Sequence, residues 1–296
     1  MVKDGAVMTV HMKNRIFDII VFLLVLISVL TCIVPFLNII SVSLSSNRAV
    51  VSQRVTIWPI EFNLQAYSTV FQDASMVYSL IYTVIMTLVS TVLSMAVTVL
   101  AAYPLTRKRL RGRSFFLMLM LITMYFTGGL IPDYLLVKNL NLLNNVWSLI
   151  LPGLMSVYNM IILKSFFQSM PASLEEAAAL DGCNDLMILV RIVLPLSLPA
   201  IATLSLFYAV GRWNGFMDAL FYITKPSLYP IQLKLYQIIS ISQQLDAQKE
   251  GTSGVNITPE GLKAASVMFA TVPILIVYPW LQKYFVSGVM IGAVKG

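Results

Sequence analysis

Six stretches of the chain are apolar for long enough to cross a bilayer, and the intervals between them are not. Residues 16–40, 76–104, 114–131, 146–167, 187–210 and 262–284 are dominated by Leu, Ile, Val, Met, Phe and Ala. Each approaches or exceeds the ~20 residues that a helix needs to traverse the hydrocarbon core of a membrane. The pattern predicts an all-α polytopic membrane protein with six transmembrane helices. The first run is too long for the apolar core of a signal peptide, so an uncleaved first span is expected behind a polar tail, 1–15. Gly128, Gly129 and Pro132 should stop or unwind the third span. Pro195 and Pro199 free backbone carbonyls within the fifth, which a membrane helix tolerates only where other groups satisfy them, so this span should face protein.

The polar intervals differ in character. Residues 41–75 form a mixed loop carrying Trp58, Pro59 and Tyr67, and residues 211–261 are the longest polar interval, opening with Gly211-Arg212-Trp213-Asn214-Gly215. Between the fourth and fifth apolar runs lies MPASLEEAAALDGCNDLMILVRIVLPLSLP, residues 170–199. Ser173 followed three residues later by Glu176 reads as a capping box behind Pro171, and Glu175 to Leu180 are good helix formers. Gly182 supplies the permissive backbone that ends such a helix. A helix of about two turns is marginal alone in water and needs docking partners.

Composition agrees with the pattern. The 296 residues are 58% hydrophobic and 11% charged, with a mean hydropathy of +0.83, against about 25% charged in ordinary soluble domains. The net charge of +7 suggests nucleic acid until the basic residues are placed. Five of them fall within Arg107–Arg113, pinned between two spans where they face headgroups, so no nucleic-acid partner is expected and membrane lipid is. Twelve of the 20 Lys and Arg lie in the short intervals and tails on one side, which predicts both termini and the 170–186 loop to be cytoplasmic and residues 211–261 external. Cys32 and Cys183 are too few and too separated in context for a disulfide framework.

Catalytic chemistry is poorly supported. The only histidine is His11, no H-E-x-x-H or G-x-S-x-G occurs, and no G-x-x-x-x-G-K-[ST] phosphate loop is present. The chain is expected not to be an enzyme, and to bind neither metal nor cofactor. An ion-coupled secondary transporter is the alternative reading, though such proteins usually carry buried charges and an internal repeat.

Within residues 170–199, Glu176-Ala177-Ala178, three residues, Gly182, nine residues, Ile192, one residue and Leu194-Pro195 together resemble the EAA loop of ATP-binding-cassette importer permeases. The resemblance implies a type I importer permease fold, a bacterial cytoplasmic (inner) membrane location, and a coupling helix that docks on a nucleotide-binding subunit. Glu175, Glu176, Ala177, Ala178, Asp181 and Gly182 would be the coupling residues. It also implies the partners: a second homologous permease, two ATP-binding-cassette subunits that carry the ATP and Mg, and an extracytoplasmic solute-binding protein. Thr127-Gly128-Gly129-Leu130-Ile131-Pro132, Trp213-Asn214, Pro273-Ile274-Leu275 and the tail from Lys283 to Gly296 are similar to the smaller permease of the maltose-type carbohydrate family, with subunits serving acidic oligosaccharides such as those of alginate nearest. The tail 285–296, through Gly292, Lys295 and Gly296, would then touch the ATPase. For an oligosaccharide cargo, Tyr125, Tyr158, Asn159, Trp213 and Asn214 are pathway candidates, since aromatic faces stack on sugar rings and amides bind hydroxyls. Helix-to-helix bonding by Asn159 and interfacial anchoring by Trp213 are equally open, and Arg212 suits either a carboxylated sugar or a lipid phosphate.

Overall fold

The structure, a computed structural model, describes residues 3–248 and 258–293; Lys295 and Gly296 of the expected tail contact lie outside the described residues. Every regular element among the described residues is helical. In chain order these are α1 (Lys3–Ser43), α2 (Asn47–Val51), α3 (Gln65–Gln72), α4 (Ala74–Ala102), α5 (Arg113–Tyr125), α6 (Leu130–Asn139), α7 (Trp147–Ile150) and α8 (Val157–Gln168). They continue with α9 (Ala172–Leu180), α10 (Asp185–Ile188), α11 (Leu194–Leu196), α12 (Leu198–Asn214), α13 (Met217–Tyr222), α14 (Ile231–Gln248) and α15 (Pro259–Ala293). The described residues divide between two compact units, one within Met1–Asp73 and Ile238–Phe269, the other within Ala74–Gln237 and Ala270–Gly296.

Among the described residues, three helices are long and apolar enough to span a membrane: Phe17–Ser43, Ala74–Thr106 and Pro259–Val277. Two bent pairs have the same composition, Arg113–Tyr125 with Leu130–Asn139 at 114° and Asp185–Leu196 with Leu198–Asn214 at 82°. The first bend falls where the glycine pair predicts it. Gly129 has φ +87° and ψ 170°, a region that side-chain-bearing residues essentially never occupy, and the Asp133 N–H bonds back to its carbonyl at 3.1 Å to start α6. The second bend carries a π turn over Leu189–Val193 and then Pro195 and Pro199, neither of which can donate to the turn before it. Ser197 partly compensates by donating its hydroxyl to the Val193 carbonyl at 2.6 Å. The span expected over 146–167 is built differently. Residues 151–156 divide α7 from α8, and the 12 residues of α8 give about 18 Å of helix, short of the ~30 Å core.

In the first unit the interval after α1 is bound tightly rather than loose. Ser41, Ser43 and Ser45 are buried, and their hydroxyls meet the Ile57 carbonyl, the Tyr67 hydroxyl at 2.9 Å and the Ile60 N–H at 3.0 Å. Trp58 stays exposed beside them, as an interfacial anchor does. Asn47, at the start of α2, accepts from the Thr258 N–H at 3.1 Å and so positions the residue that precedes α15.

The second unit is organised on α4. Ser79, Thr83, Thr87, Ser90, Ser94 and Thr98 recur every three or four residues on its buried face, and small side chains at this spacing let α8 and α12 approach closely. Below them, Met95, Val99, Met160, Leu163, Val193 and Leu204 form the apolar core. The Thr83 hydroxyl donates to the Ser79 carbonyl at 2.7 Å and accepts the Ile231 N–H at 2.8 Å, with both residues fully buried. Thr83→Val keeps the shape and orphans that N–H. Its expected cost is about 1–3 kcal/mol. A thermal-shift measurement in detergent checks it, and an unchanged midpoint would show that water reaches Ile231.

Candidate functional site

The helix expected in the 170–186 loop is α9. Its first residue is Ala172, with Pro171 at the cap position (φ −58°, ψ 126°), and no side chain caps it. The capping box is therefore absent. Ser173 already lies inside the first turn, two residues too late to act as cap, because proline at 171 fits the non-helical position and the Leu174 N–H reaches its carbonyl at 3.3 Å. The other end behaves as read. Gly182 has φ +81°, its N–H bonds to the Ala179 carbonyl at 3.1 Å and the Cys183 N–H to the Ala178 carbonyl at 2.9 Å, the paired closure of a Schellman motif.

The structure separates the six loop residues into two groups. Ala178 is buried in one apolar cluster with Met170, Cys183 and Ile188, and the Glu175 carboxylate turns inward to pair with Arg107, five residues beyond α4. Glu176, Ala177, Asp181 and Gly182 face outward. Leu174, Ala177 and Leu180, three residues apart, make an apolar stripe on the outward face, with Leu180 at 89% exposure. A short helix that shows this much apolar surface is built to be covered.

Behind α9 the basic interval is partly consumed. The Arg107 guanidinium lies 4.4 Å from the Tyr103 ring centroid and donates to both the Tyr103 hydroxyl and Glu175. The Tyr103 hydroxyl donates in turn to the Asp185 carbonyl at 3.0 Å, while Arg109 pairs with the Asp185 carboxylate. The segment that follows α4, residues 103–109, thus holds α9 at one end and the start of α10 at the other. The exposed Arg109 pair adds little by itself, whereas Arg107 and Glu175 are mostly shielded from water. Sequence reading of the basic run as headgroup-facing missed this division.

A second feature lies higher in the same unit. A cleft of about 620 Å³ opens between α4, α8, α12 and α13, lined by Ser90, Ser94, Ser156, Asn159, Phe207, Tyr208, Arg212, Asn214 and Asp218 among others. Of the five aromatic and amide candidates, the structure brings Asn159 and Asn214 together here. Trp213 is buried and turns instead to an apolar cleft with Val84, Leu88, Pro273 and Ile274, so it is not an exposed interfacial anchor. Tyr125, 75% exposed, and Tyr158 line neither cleft. Arg212 is not free for a carboxylate or a phosphate. It binds both oxygens of Asp218, one at 3.0 Å, and donates to the carbonyls of Leu149 at 2.7 Å and Gly215 at 3.4 Å. Asp218 was overlooked, although it is the only acid between Asp185 and Asp246 and lies six residues after the arginine.

Straight and bent apolar spans, a polar cleft beside α4 and α12, and an exposed helix tied to the end of one span fit a multi-span membrane permease, and similarity to known proteins places the chain in that class. Residues 74–291 match the family described as binding-protein-dependent transport system inner membrane component, and the chain belongs to it. The chain is 44% identical over 286 residues to the polygalacturonan/rhamnogalacturonan transport system permease protein YtcP of Bacillus subtilis (strain 168), covering 96% of this chain and 100% of that one. It is 42% identical to the protein LplC of the same organism over 89% of this chain and 90% of that one. Among solved structures it is similar, with a TM-score of 0.84 and 33% identity over 92% of this chain and 98% of the other, to a chain in the crystal structure of a bacterial ABC transporter involved in the import of the acidic polysaccharide alginate.

Proposed function

We propose that this chain is one of two permeases of an ATP-driven importer that takes acidic oligosaccharides from an extracytoplasmic binding protein into the cytoplasm. The observation that carries the reading is α9, an exposed apolar helix ion-paired to the segment that follows α4. Such a helix transmits displacement between a docked subunit and the spans only if it stays folded, and the Gly182 closure and the Arg107 contact both hold it so. Glu176, Ala177 and Leu180 are the outward residues that would meet an ATP-binding-cassette subunit. ATP and Mg would reside there, since this sequence has no phosphate loop. Both termini and α9 are cytoplasmic in this reading, on the distribution of Lys and Arg.

The cargo class rests on relatives named for polygalacturonan, rhamnogalacturonan and alginate, polymers that contain uronic acid units. The test uses the complete complex in lipid vesicles with its binding protein, and galacturonate, alginate and maltodextrin oligosaccharides. Uptake should persist when ion gradients are collapsed, and one of the uronate series should stimulate ATP hydrolysis several-fold more than maltodextrin does. Uptake that stops with the gradients would establish a secondary transporter instead. Stimulation by maltodextrin alone would remove the acidic cargo.

A further inference from the structure

Helices α5 and α8 bring two cations together and give them no anion. Within α5 only Arg113, Leu117 and Met120 are shielded from solvent, and their spacing puts all three on one face. That face packs on α8, where Leu117 and Met120 join the apolar cluster that contains Leu163 and Phe167. Arg113 begins the same stripe, and Lys164, half-buried and next to Leu163 in the chain, lies within electrostatic reach of it. The Lys164 ammonium donates to the Gln168 amide oxygen at 3.1 Å, a neutral partner that leaves its charge unanswered. Nearby acids are spent or point away. Glu175 is taken by Arg107 and Asp185 by Arg109, the first turn of α5 holds no acid, and Glu176 and Asp181 are exposed on the outward side of the α9 loop. Among the described residues, neither Arg113 nor Lys164 pairs with a carboxylate. Two like charges held together against apolar helices are unfavourable unless an anion joins them.

We propose that Arg113 and Lys164 form a site for the phosphate of an anionic phospholipid whose acyl chains lie along α5. The guanidinium supplies a planar fork and the ammonium a point charge, which together match the two free oxygens of a phosphodiester. Phe115, Phe116, Met118 and Leu119 are exposed in the turns that follow and offer the chains an apolar wall. Lys108 and Arg111 are exposed in the same basic interval and disfavour a headgroup that carries its own cation, so the ligand is an anionic lipid and not a zwitterionic one. The basic run does not define this site by itself. Two of its five residues, Arg107 and Arg109, hold α9 and α10, and Arg113 turns to α8, where Lys164 completes the pair from outside the run. The assignment stands on the packing of α5 against α8 and is independent of the importer reading and of its cargo.

The experiment is a lipid titration of the full chain, in the complex it purifies with, followed by thermal midpoint in detergent. The probes are dihexanoyl phosphatidylglycerol, dihexanoyl phosphatidylcholine and inorganic phosphate. Phosphatidylglycerol should raise the midpoint at a concentration at least about tenfold below that needed of phosphatidylcholine, because a ligand stabilises the folded state in proportion to its affinity for it. Arg113→Gln with Lys164→Gln should raise that concentration at least about tenfold, and Lys108→Gln with Arg111→Gln, which removes the same charge outside the site, should change it less than about twofold. Without lipid, the first variant should melt no lower than the native chain, since it loses repulsion and no anionic partner. Lys164→Gln alone carries the test if the double variant does not assemble, with an expected shift of at least about fivefold. Equal loss in both double variants means a diffuse surface charge and overturns the site. So do equal potency of the two lipids and a lower midpoint without lipid. Inorganic phosphate that acts as strongly as phosphatidylglycerol assigns the two cations to a soluble anion and overturns the lipid. Binding is read without sugar or ATP, so failure here leaves the importer reading standing.

Discussion

Leu180→Asp is expected to detach the ATPase from the complex. Leu180 is the most exposed large apolar side chain of α9, in line with Leu174 and Ala177, and its exposure has no use within the chain itself. Central apolar anchors of an interface cost about 2–4 kcal/mol when truncated, and a buried unpaired carboxylate costs more. Co-purification of the nucleotide-binding subunits with tagged permease should fall at least about thirtyfold, which corresponds to ~2 kcal/mol. Helix content and the thermal midpoint of the permease should stay the same, because no packing of its own is lost. Undiminished co-purification would mean that α9 is only a connector between spans, and the secondary-transporter reading would have to be reopened.

Arg107→Glu is expected to leave the ATPase attached and to spoil the transmission of its motion. The substitution places two carboxylates against each other where Arg107 and Glu175 now pair, and it frees α9 from the segment that follows α4. Sugar transported per ATP hydrolysed should fall about tenfold, equivalent to ~1.4 kcal/mol. The reversed pair, Arg107→Glu with Glu175→Arg, should recover most of the loss, since the charges again oppose. A merely structural role predicts instead that the single variant assembles poorly and that the reversal does not help. Tyr103→Phe makes a milder version, removing the hydroxyl that links Arg107 to the Asp185 carbonyl while keeping the ring beneath the guanidinium.

The two helix ends of the α9 loop show why some local signals survive folding and others do not. Gly182 was readable because its role depends only on backbone sterics, which no neighbour can change. The capping box was not, because Ser173 and Pro171 compete for the same position and the proline, excluded from the helix interior, takes it. Glu175 and Glu176 are chemically alike and adjacent. One turn direction sends the first to Arg107 and the second outward, and nothing in their own spacing distinguishes them.

The sequence by itself determined the helical class, the membrane setting, the glycine break between α5 and α6, and the location of α9. These follow from apolar run length and from backbone rules that act within a few residues. The tertiary structure alone decided that Trp213 lies in one cleft and Asn159 with Asn214 in another, that Arg212 is spent on Asp218, and that a span expected over 146–167 is divided into α7 and α8. Each of these depends on which residues, tens of positions apart, meet across α4, α8 and α12. Apolar periodicity cannot supply that information, because a helix in a membrane is apolar toward lipid and toward its neighbours alike.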